Sequence, residues 1–388
     1  MTEHFFAPCP RGLEAVLAQE LATLGGSAVK TTDGGVHFAG PFALCYRANL
    51  ESRIASRVLW RIGDSAYRNE DDIYRAALAL KWPHWFDARD TIRVNVAATR
   101  CPLKSLDFVT LRLKDAVCDA FRAHGGERPN VDTHAPDVRI HAFLTADRLT
   151  LYLDTSGEPL FKRGYRSAAG EAPLRENLAA GILRLTGWTP HETLLDPMCG
   201  SGTFLIEAAL IALDIAPGGK RVFGFEKLKN FDRVAWDKLK SAALARERPR
   251  APLPIYGGDL YGDELKNARA NLAAAGLDGV VTLKQANALE ISAPAANGVI
   301  VCNPPYGVRL GEENELAQFF PKLGDALKQK FGGWRAYILS NDLALQKLVR
   351  LAASKRTPLF NGALECRLYE FKLVVGSMRR AKSVKGEA

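Results

Sequence analysis

At 388 residues the chain exceeds the roughly 250 to 300 residues at which one hydrophobic core stops growing, so its length predicts two or three domains. Its composition, 47% hydrophobic and 24% charged, is that of a globular protein, and its net charge of +9 suits a polyanionic partner such as nucleic acid. The seven cysteines form no C-x-x-C pair, and neither a charged apolar leader nor a long apolar run is present, so we expect a cytoplasmic protein without disulfide framework, metal or membrane contact.

The first part of the chain, residues 1–64, is predicted to be a small α+β unit. The segment "HFFAPC" reads as a strand and leads into "GLEAVLAQELATLG". In that second segment the leucines recur at helical spacing before a Gly-Gly stop, which predicts a helix. Strands and a further helix follow.

Residues 65–165 are predicted to form a second α+β unit. "TIRVNVAATR" alternates with the period of a strand, and "LDFVTLRLKDAVCDAFRAHGG" carries a helical stripe that ends in two glycines. "DVRIHAFL" and "RLTLYLD" then read as two strands joined by a short turn.

This second unit ends in a basic segment, "FKRGYRSAAGE", in which Lys162, Arg163 and Arg166 interleave with Phe161 and Tyr165. Such a composition suits the stacking of bases and the binding of phosphates. The alternative is a solvated linker with two buried aromatic side chains. The sequence leaves both interpretations open.

From residue 166 to residue 377 strands and helices alternate, which predicts a parallel sheet with helices on both faces. The last segment, "TPLFNGALECRLYEFKLVV", consists of two β-rich runs about Asn361 and Gly362, a strong hairpin signal. The sheet is therefore expected to end with an antiparallel strand. Residues 378–388 form a basic tail, which is predicted to be disordered.

A cofactor site is predicted where the buried strand in "LLDPMCGSGTFLIEAAL" ends at Asp196. The chain passes through Gly200 and Gly202 before a helix begins at Thr203, so a ligand can approach the backbone and the helix N-terminus. The spacing matches neither the dinucleotide fingerprint nor the phosphate loop, which disfavours a diphosphate ligand.

Two further strand ends carry polar side chains. Asp259 ends the next strand, where an acid accepts hydrogen bonds from ribose hydroxyls. The alternative role is that of a helix N-cap, for which Asp263 is the better candidate. Asn287 follows the third strand and is placed to read an adenine edge.

The segment "VIVCNPPYGVRL" ends a strand with Asn303, Pro304, Pro305 and Tyr306. An exocyclic amine on a base is a poor nucleophile, and two acceptors, Asn303 Oδ1 and the Pro304 carbonyl, can orient its lone pair towards a methyl donor. The prolines fix the turn, and Tyr306 offers a face on which a base can stack. Alone, the motif could be a strand-ending turn.

Together "DPMCGSGT", "GGDL", "QANA" and "NPPY" resemble class I S-adenosylmethionine-dependent methyltransferases of the amino-methylating type. With the two leading units and "GYRSAAGEAPLRENLAAGILRLTGW", the chain resembles THUMP-domain RNA methyltransferases, and more narrowly the bacterial branch that methylates guanine N2 in large-subunit ribosomal RNA. The resemblance implies an α/β fold: a Rossmann-like class I methyltransferase domain at 166–377 whose mixed sheet ends in an antiparallel hairpin strand. A ferredoxin-like α+β domain and a THUMP RNA-binding domain precede it.

The resemblance also implies roles for individual residues. The cofactor S-adenosylmethionine would contact Arg175, Asn177, Asp196, Pro197, Cys199, Gly200, Gly202, Thr203, Asp259, Leu260, Asn287 and Ala288. The catalytic residues would be Asn303, Pro304, Pro305 and Tyr306, and the RNA contacts Lys162, Arg163, Tyr165 and Arg166. The sequence departs from many relatives at Asn287, where they carry Asp; an Asn can still accept from the adenine amine through its amide oxygen.

The expected activity is methyl transfer from S-adenosylmethionine to guanine N2 in ribosomal RNA, 23S by preference, carried out by a monomer. A transfer RNA guanine-N2 methyltransferase is the alternative in the same class. From another class, the chain could be an RNA-binding ribosome assembly factor with a vestigial methylase domain.

Overall fold

The computed structural model describes residues 2–166, 174–305 and 312–374, without the side chains of 312–317. Tyr306 and the basic tail therefore lie outside the described residues. The strands are β1 (Glu3–Pro8), β2 (Ser27–Thr32), β3 (Gly35–Gly40), β4 (Leu59–Ala66), β5 (Ile92–Ala98), β6 (Val138–Leu144), β7 (Arg148–Asp154), β8 (Leu194–Asp196), β9 (Ile255–Asp259), β10 (Thr282–Gln285), β11 (Val299–Cys302), β12 (Arg335–Ser340), β13 (Lys355–Asn361) and β14 (Leu364–Lys372).

The helices are α1 (Glu14–Thr23), α2 (Leu44–Glu51), α3 (Glu70–Leu78), α4 (Leu106–Gly125), α5 (Glu176–Thr186), α6 (Thr203–Ala212), α7 (Arg233–Ala245), α8 (Gly262–Ala275), α9 (Glu312–Lys330) and α10 (Leu345–Leu348). The chain divides into two compact units. Unit 1 comprises Met1–Gly164 and Asp214–Arg248, and unit 2 comprises Tyr165–Leu213 and Pro249–Ala388.

Unit 1 is built on one seven-stranded sheet in the order β2-β3-β1-β4-β7-β6-β5. The two α+β units expected from the sequence share this sheet because β4 pairs antiparallel with β1 on one side and with β7 on the other. β5 and β6 pair in parallel and carry α4 as their neighbour. The two α+β segments therefore contribute their strands to a single sheet.

The insertion Asp214–Arg248, between α6 and β9, packs into the core of unit 1. Tyr46 of α2 meets the ring of Phe225 at 4.6 Å and that of Trp236 at 6.2 Å between centroids. Its hydroxyl also accepts a hydrogen bond from the Asp232 backbone N–H at 2.9 Å. The buried aromatic residues of this insertion complete the N-terminal core.

Unit 2 is built on a second seven-stranded sheet in the order β10-β9-β8-β11-β12-β14-β13. The first five of these strands pair in parallel, and β14 runs antiparallel to both β12 and β13. The terminal hairpin is confirmed, with Gly362 in the left-handed region at φ +66°. The predicted mixed α/β fold is thus confirmed, and the leading units provide the expected α+β architecture.

The core of unit 2 lies around β11, whose four residues are all buried. Trp334 packs edge-on against Phe331 at 5.4 Å and closes the core between α9 and the sheet. In the segment after β12 only Leu345–Leu348 is helical, and Arg350 adopts a left-handed φ of +55° soon after it. In the described part of the chain no helix is long and apolar enough to cross a membrane.

Candidate functional site

The predicted cofactor and catalytic residues gather along one edge of the unit 2 sheet. β8 pairs with β9 on one side and β11 on the other, and β10 lies beyond β9. These strands are parallel, so their carboxyl ends meet at the same edge. Along this edge the strand ends carry, in spatial order, Asn287, Asp259, Asp196 and Asn303.

The glycine loop after β8 is held against β9 by backbone hydrogen bonds. The Cys199 N–H donates to the Gly258 carbonyl at 2.8 Å, and the Gly202 N–H donates to the Cys199 carbonyl at 2.8 Å. Gly200 and Gly202 have φ of +48° and +81°. A Cβ at Gly200 would meet no atom within 4 Å, whereas one at Gly202 would lie 3.3 Å from Ala268 Cβ. Gly200 thus leaves open space beside the backbone, and Gly202 allows close packing against α8.

Asp259 connects the loop to the end of β9. One carboxylate oxygen accepts the Gly200 N–H at 2.9 Å and the other accepts the Tyr261 N–H at 3.0 Å. Each oxygen keeps a second lone pair, so the carboxylate can also accept ligand hydroxyls. Asp263, the alternative N-cap, lies inside the first turn of α8 and pairs with Lys266 at 2.7 Å; Tyr261 holds the cap position.

Asp196 makes the site electrostatically unusual. Its side chain is buried at 2% exposure and accepts the Met198 N–H at 3.2 Å. Burial raises its pKa well above the usual range, and the negative charge of Asp259 raises it further. Two acids share one poorly hydrated edge, and a positively charged ligand would relieve their repulsion.

The strand end that carries Asn303 lies close to this charge. Burial, and then the charge of Asp196, raises the pKa of the Cys302 thiol, which keeps it protonated. Asn303 is half-buried, Pro304 is buried and Pro305 is exposed. Burial likewise raises the pKa of Cys199, so neither cysteine has the thiolate character of a nucleophile.

The start of α5 is tied to the start of α6 by Arg166. Its guanidinium donates to the Leu174 carbonyl and the Thr203 hydroxyl, both at 3.0 Å, and to Glu176 Oε1 at 3.2 Å. Since Thr203 begins the helix that follows the glycine loop, this bridge brings residues 174–176 close to the end of that loop. The sequence predicted an RNA contact for Arg166; the structure gives its side chain intramolecular partners.

The remaining predicted cofactor residues occupy different environments. Arg175 is exposed at the N-cap of α5, and its guanidinium lies beside Gly362 of the terminal hairpin. Asn177 is fully buried in α5. Asn287 Oδ1 accepts the Leu289 N–H at 3.0 Å and retains a second lone pair. Pro197 and Ala288 are buried, and Leu260 is 53% exposed.

The basic segment before residue 166 contains two buried side chains, Arg163 and Tyr165. Arg163 is 8% exposed and donates to two backbone carbonyls at 2.6 and 2.7 Å. Tyr165 is 4% exposed, and its hydroxyl lies 3.4 Å from Glu207 Oε1. Lys162 is exposed and pairs with Glu158 at 2.9 Å. The burial of Tyr165 agrees with the linker alternative, whereas the guanidinium of Arg163 is taken up by hydrogen bonds within the protein. The side chain of Lys162 is exposed to solvent.

Two side chains that sequence reasoning missed support the loops of the site. Asn271 Nδ2 donates to the Ser201 carbonyl at 3.0 Å, and Gln285 Nε2 donates to the Leu260 carbonyl at 3.0 Å. Asn271 shares the buried stripe of α8 with three apolar residues. An amide at a core position of a helix was the signal available in the sequence. Among the described residues no group of three or more His, Cys, Asp or Glu side chains could hold a metal ion.

The chain matches models of known protein families. Residues 163–370, more than half of the chain, match the model described as "RMKL-like, methyltransferase domain". The chain belongs to this methyltransferase family. In addition, residues 67–154 match the THUMP domain and residues 4–59 match the RlmL ferredoxin-like domain. The family resemblance drawn from the motifs is confirmed.

The chain has relatives over nearly its whole length. It is 42% identical over 382 residues to the ribosomal RNA large subunit methyltransferase K/L of Shewanella sp. (strain W3-18-1), covering 97% of this chain and 54% of the relative. It is 40% identical over 373 residues to a predicted RNA methyltransferase of Synechocystis sp. (strain ATCC 27184 / PCC 6803 / Kazusa), which covers 96% of this chain and 97% of the relative.

Among solved structures, the crystal structure of SMU.472, a predicted methyltransferase complexed with SAH, superposes with a TM-score of 0.88 at 31% identity. The superposition covers 97% of this chain and 99% of the SMU.472 chain. The chain spans about half the length of the Shewanella relative and nearly all of the Synechocystis relative.

Proposed function

We propose that this protein transfers a methyl group from S-adenosylmethionine to the exocyclic N2 amine of a guanine in ribosomal RNA, preferably 23S. The observation that carries the proposal is the row of strand ends in which Asp259 and Asp196 adjoin Asn303. The names of the Shewanella and Synechocystis relatives support RNA, and the Shewanella name supports the large ribosomal subunit. We expect a cytoplasmic enzyme that acts as a monomer.

The residues present fit this cofactor. The open space at Gly200 lets a ligand approach the loop, and Asp259 retains lone pairs for ribose hydroxyls. Asp196, buried and close to a second acid, suits the positively charged methionine part. Asn287 and Ala288 would adjoin the adenine, and Arg175 and Asn177 would cover the ligand from α5.

S-adenosylmethionine supplies a methyl group already activated by its positive sulfur, so the tasks left to the protein are placement and orientation. Asn303 Oδ1 and the Pro304 carbonyl would each accept one N–H of the guanine amine and direct its lone pair at the methyl. The two prolines keep the turn rigid and, lacking backbone N–H groups, offer no competing donor. Tyr306 would stack on the base, and we assign the released proton to water.

A labelled methyl-transfer assay tests the substrate. Ribosomal RNA and transfer RNA from cells lacking the protein are incubated with the full chain and labelled cofactor, and the nucleosides are then separated. Label in N2-methylguanosine of ribosomal RNA is the expected result. Label in transfer RNA would establish the alternative, label in N6-methyladenosine would contradict the base, and failure to bind the cofactor would favour the assembly-factor alternative.

A second experiment tests Asn303. Asn303→Ala is expected to lower kcat by about 100-fold or more, the usual cost of one oriented polar contact in an active site, with cofactor Kd within about threefold of the wild type. Asn297→Ala, at an exposed position preceding β11, is the matched control and should change neither quantity. Equal losses in kcat and cofactor binding would show that Asn303 is structural.

A further inference from the structure

The sheet of unit 1 carries basic and aromatic side chains on the face opposite its main core. Phe5 of β1 is buried, whereas its neighbour His4 is exposed and its neighbour Phe6 is half-buried. The pairing register puts Lys30 opposite His37 and His37 opposite Phe6, so this row crosses β2, β3 and β1 on one side of the sheet.

A second row lies beside the first and is joined to it by a pocket. Arg61 of β4 pairs in register with Tyr152 of β7. A cavity of about 110 Å³ is lined by both residues together with His4 and His37. A second, more open depression shares His4 and Arg61 with this cavity and also contacts Arg148. We call this surface, defined by His4, Phe6, Lys30, His37, Arg61 and Tyr152, the sheet-face pocket.

The charge of the sheet-face pocket is positive. Among the described residues no carboxylate forms an ion pair with Lys30 or Arg61. The acid that lines the adjoining depression, Asp64, is already paired with Arg148. Unneutralised cations beside a concave surface attract a phosphate backbone.

Its aromatic rings lie close together and are tilted relative to one another. The His37 ring lies 4.8 Å from that of Phe6, and Phe6 lies 6.2 Å from Tyr152. Burial lowers the pKa of His37, and the charges of Arg61 and Lys30 lower it further, so the ring is neutral at pH 7. A neutral imidazole that is open to solvent and packs beside Phe6 offers a face on which a base can stack.

We propose that the sheet-face pocket holds an unpaired base of the RNA substrate, stacked on His37, with the adjoining phosphate bound by Arg61. This inference rests on the proposed function because it takes RNA as the substrate. It assigns the ferredoxin-like part of the chain a recognition role for looped RNA, in which bases are free to leave the helix. A base locked in a duplex presents no free face to the pocket.

The test measures binding of the full chain, without cofactor, to a labelled RNA hairpin with an open loop and to a blunt RNA duplex. His37→Ala is expected to weaken hairpin binding about tenfold, the loss of one stacked base, with an unchanged salt dependence. Arg61→Gln is expected to weaken hairpin binding and to reduce the slope of log affinity against log salt by about 0.7. Duplex affinity should stay within about twofold for both.

Arg89→Gln is the control, since Arg89 is an exposed arginine of the same unit that lies 3.6 Å from Asp87. Thermal unfolding of each variant separates lost binding from lost folding. Equal losses for hairpin and duplex, or hairpin affinities within twofold of wild type, would overturn the proposal. If only the pocket proposal fails, the wild-type protein still transfers methyl groups to RNA. If the proposed function fails, the wild-type protein transfers no methyl group, regardless of how tightly it binds the hairpin.

Discussion

Replacing Asp196 with Asn is expected to stabilise the ligand-free protein while it weakens cofactor binding. The wild-type carboxylate is 2% exposed, accepts one N–H at 3.2 Å and lies within the field of Asp259. An amide keeps the acceptor for Met198 and removes the buried charge. We expect a gain of about 1 to 3 kcal/mol in the free energy of unfolding, the usual cost of an uncompensated buried polar group.

The difference in unfolding free energy between Asp196→Asn and the wild type should depend on pH in a definite direction. Because burial raises the pKa of Asp196 in the folded state, the folded protein binds this proton more tightly than the unfolded chain, whose Asp pKa is about 3.9. The penalty is absent below the unfolded pKa, grows as the pH rises from the unfolded pKa to the folded pKa, and is constant above the folded pKa. The gap in unfolding free energy between Asp196→Asn and wild type should therefore widen from about pH 4 upwards and then level off.

Thermal unfolding between about pH 4 and pH 8 is the assay, since 1 kcal/mol shifts the Tm of a domain of this size by about 2 to 4 °C. A gap that does not change with pH, or a wild type more stable at pH 8, would refute the reasoning. Cofactor affinity should rise with pH in the wild type and stay flat in the variant. Asp263→Asn, an exposed acid paired with Lys266, is the matched control and should show neither effect.

Two further substitutions test the packing around the site. Arg166→Gln removes the hydrogen bond to Thr203 and should raise the cofactor Kd about tenfold, with little change in kcat at saturating cofactor. If the variant instead lost only RNA binding, measured by fluorescence anisotropy, Arg166 would be an RNA contact after all. Gly257→Ala would place a Cβ 2.3 Å from Leu205 Cδ1 and should lower the unfolding free energy by about 1 to 3 kcal/mol in urea titrations. Gly219→Ala, whose Cβ meets one carbonyl at 3.4 Å, should cost under about 0.5 kcal/mol, and equal costs for the two would contradict the packing argument.

Much of the candidate site was readable from the sequence because it depends on short motifs at strand ends. A buried strand that stops at an acid, and another that stops at Asn-Pro-Pro, define local geometry within a few residues. The parallel order of the strands then brings Asp196 and Asn303 to the same edge. The support for these loops was not readable in this way, since the hydrogen bond from Asn271 to Ser201 joins residues 70 positions apart.

The sequence by itself determined the type and position of most strands and helices, the terminal hairpin and the acids at the strand ends, because periodicity, glycine and proline act over a few residues. Tertiary structure decided that β4 joins the two leading α+β patterns in one sheet and that the insertion Asp214–Arg248 completes the core of unit 1. It also buried Arg163 and tied Arg166 to α6, although both look like surface cations in the sequence. Strand pairing and burial depend on partners far along the chain, and a local pattern carries no information about which distant partner will be met.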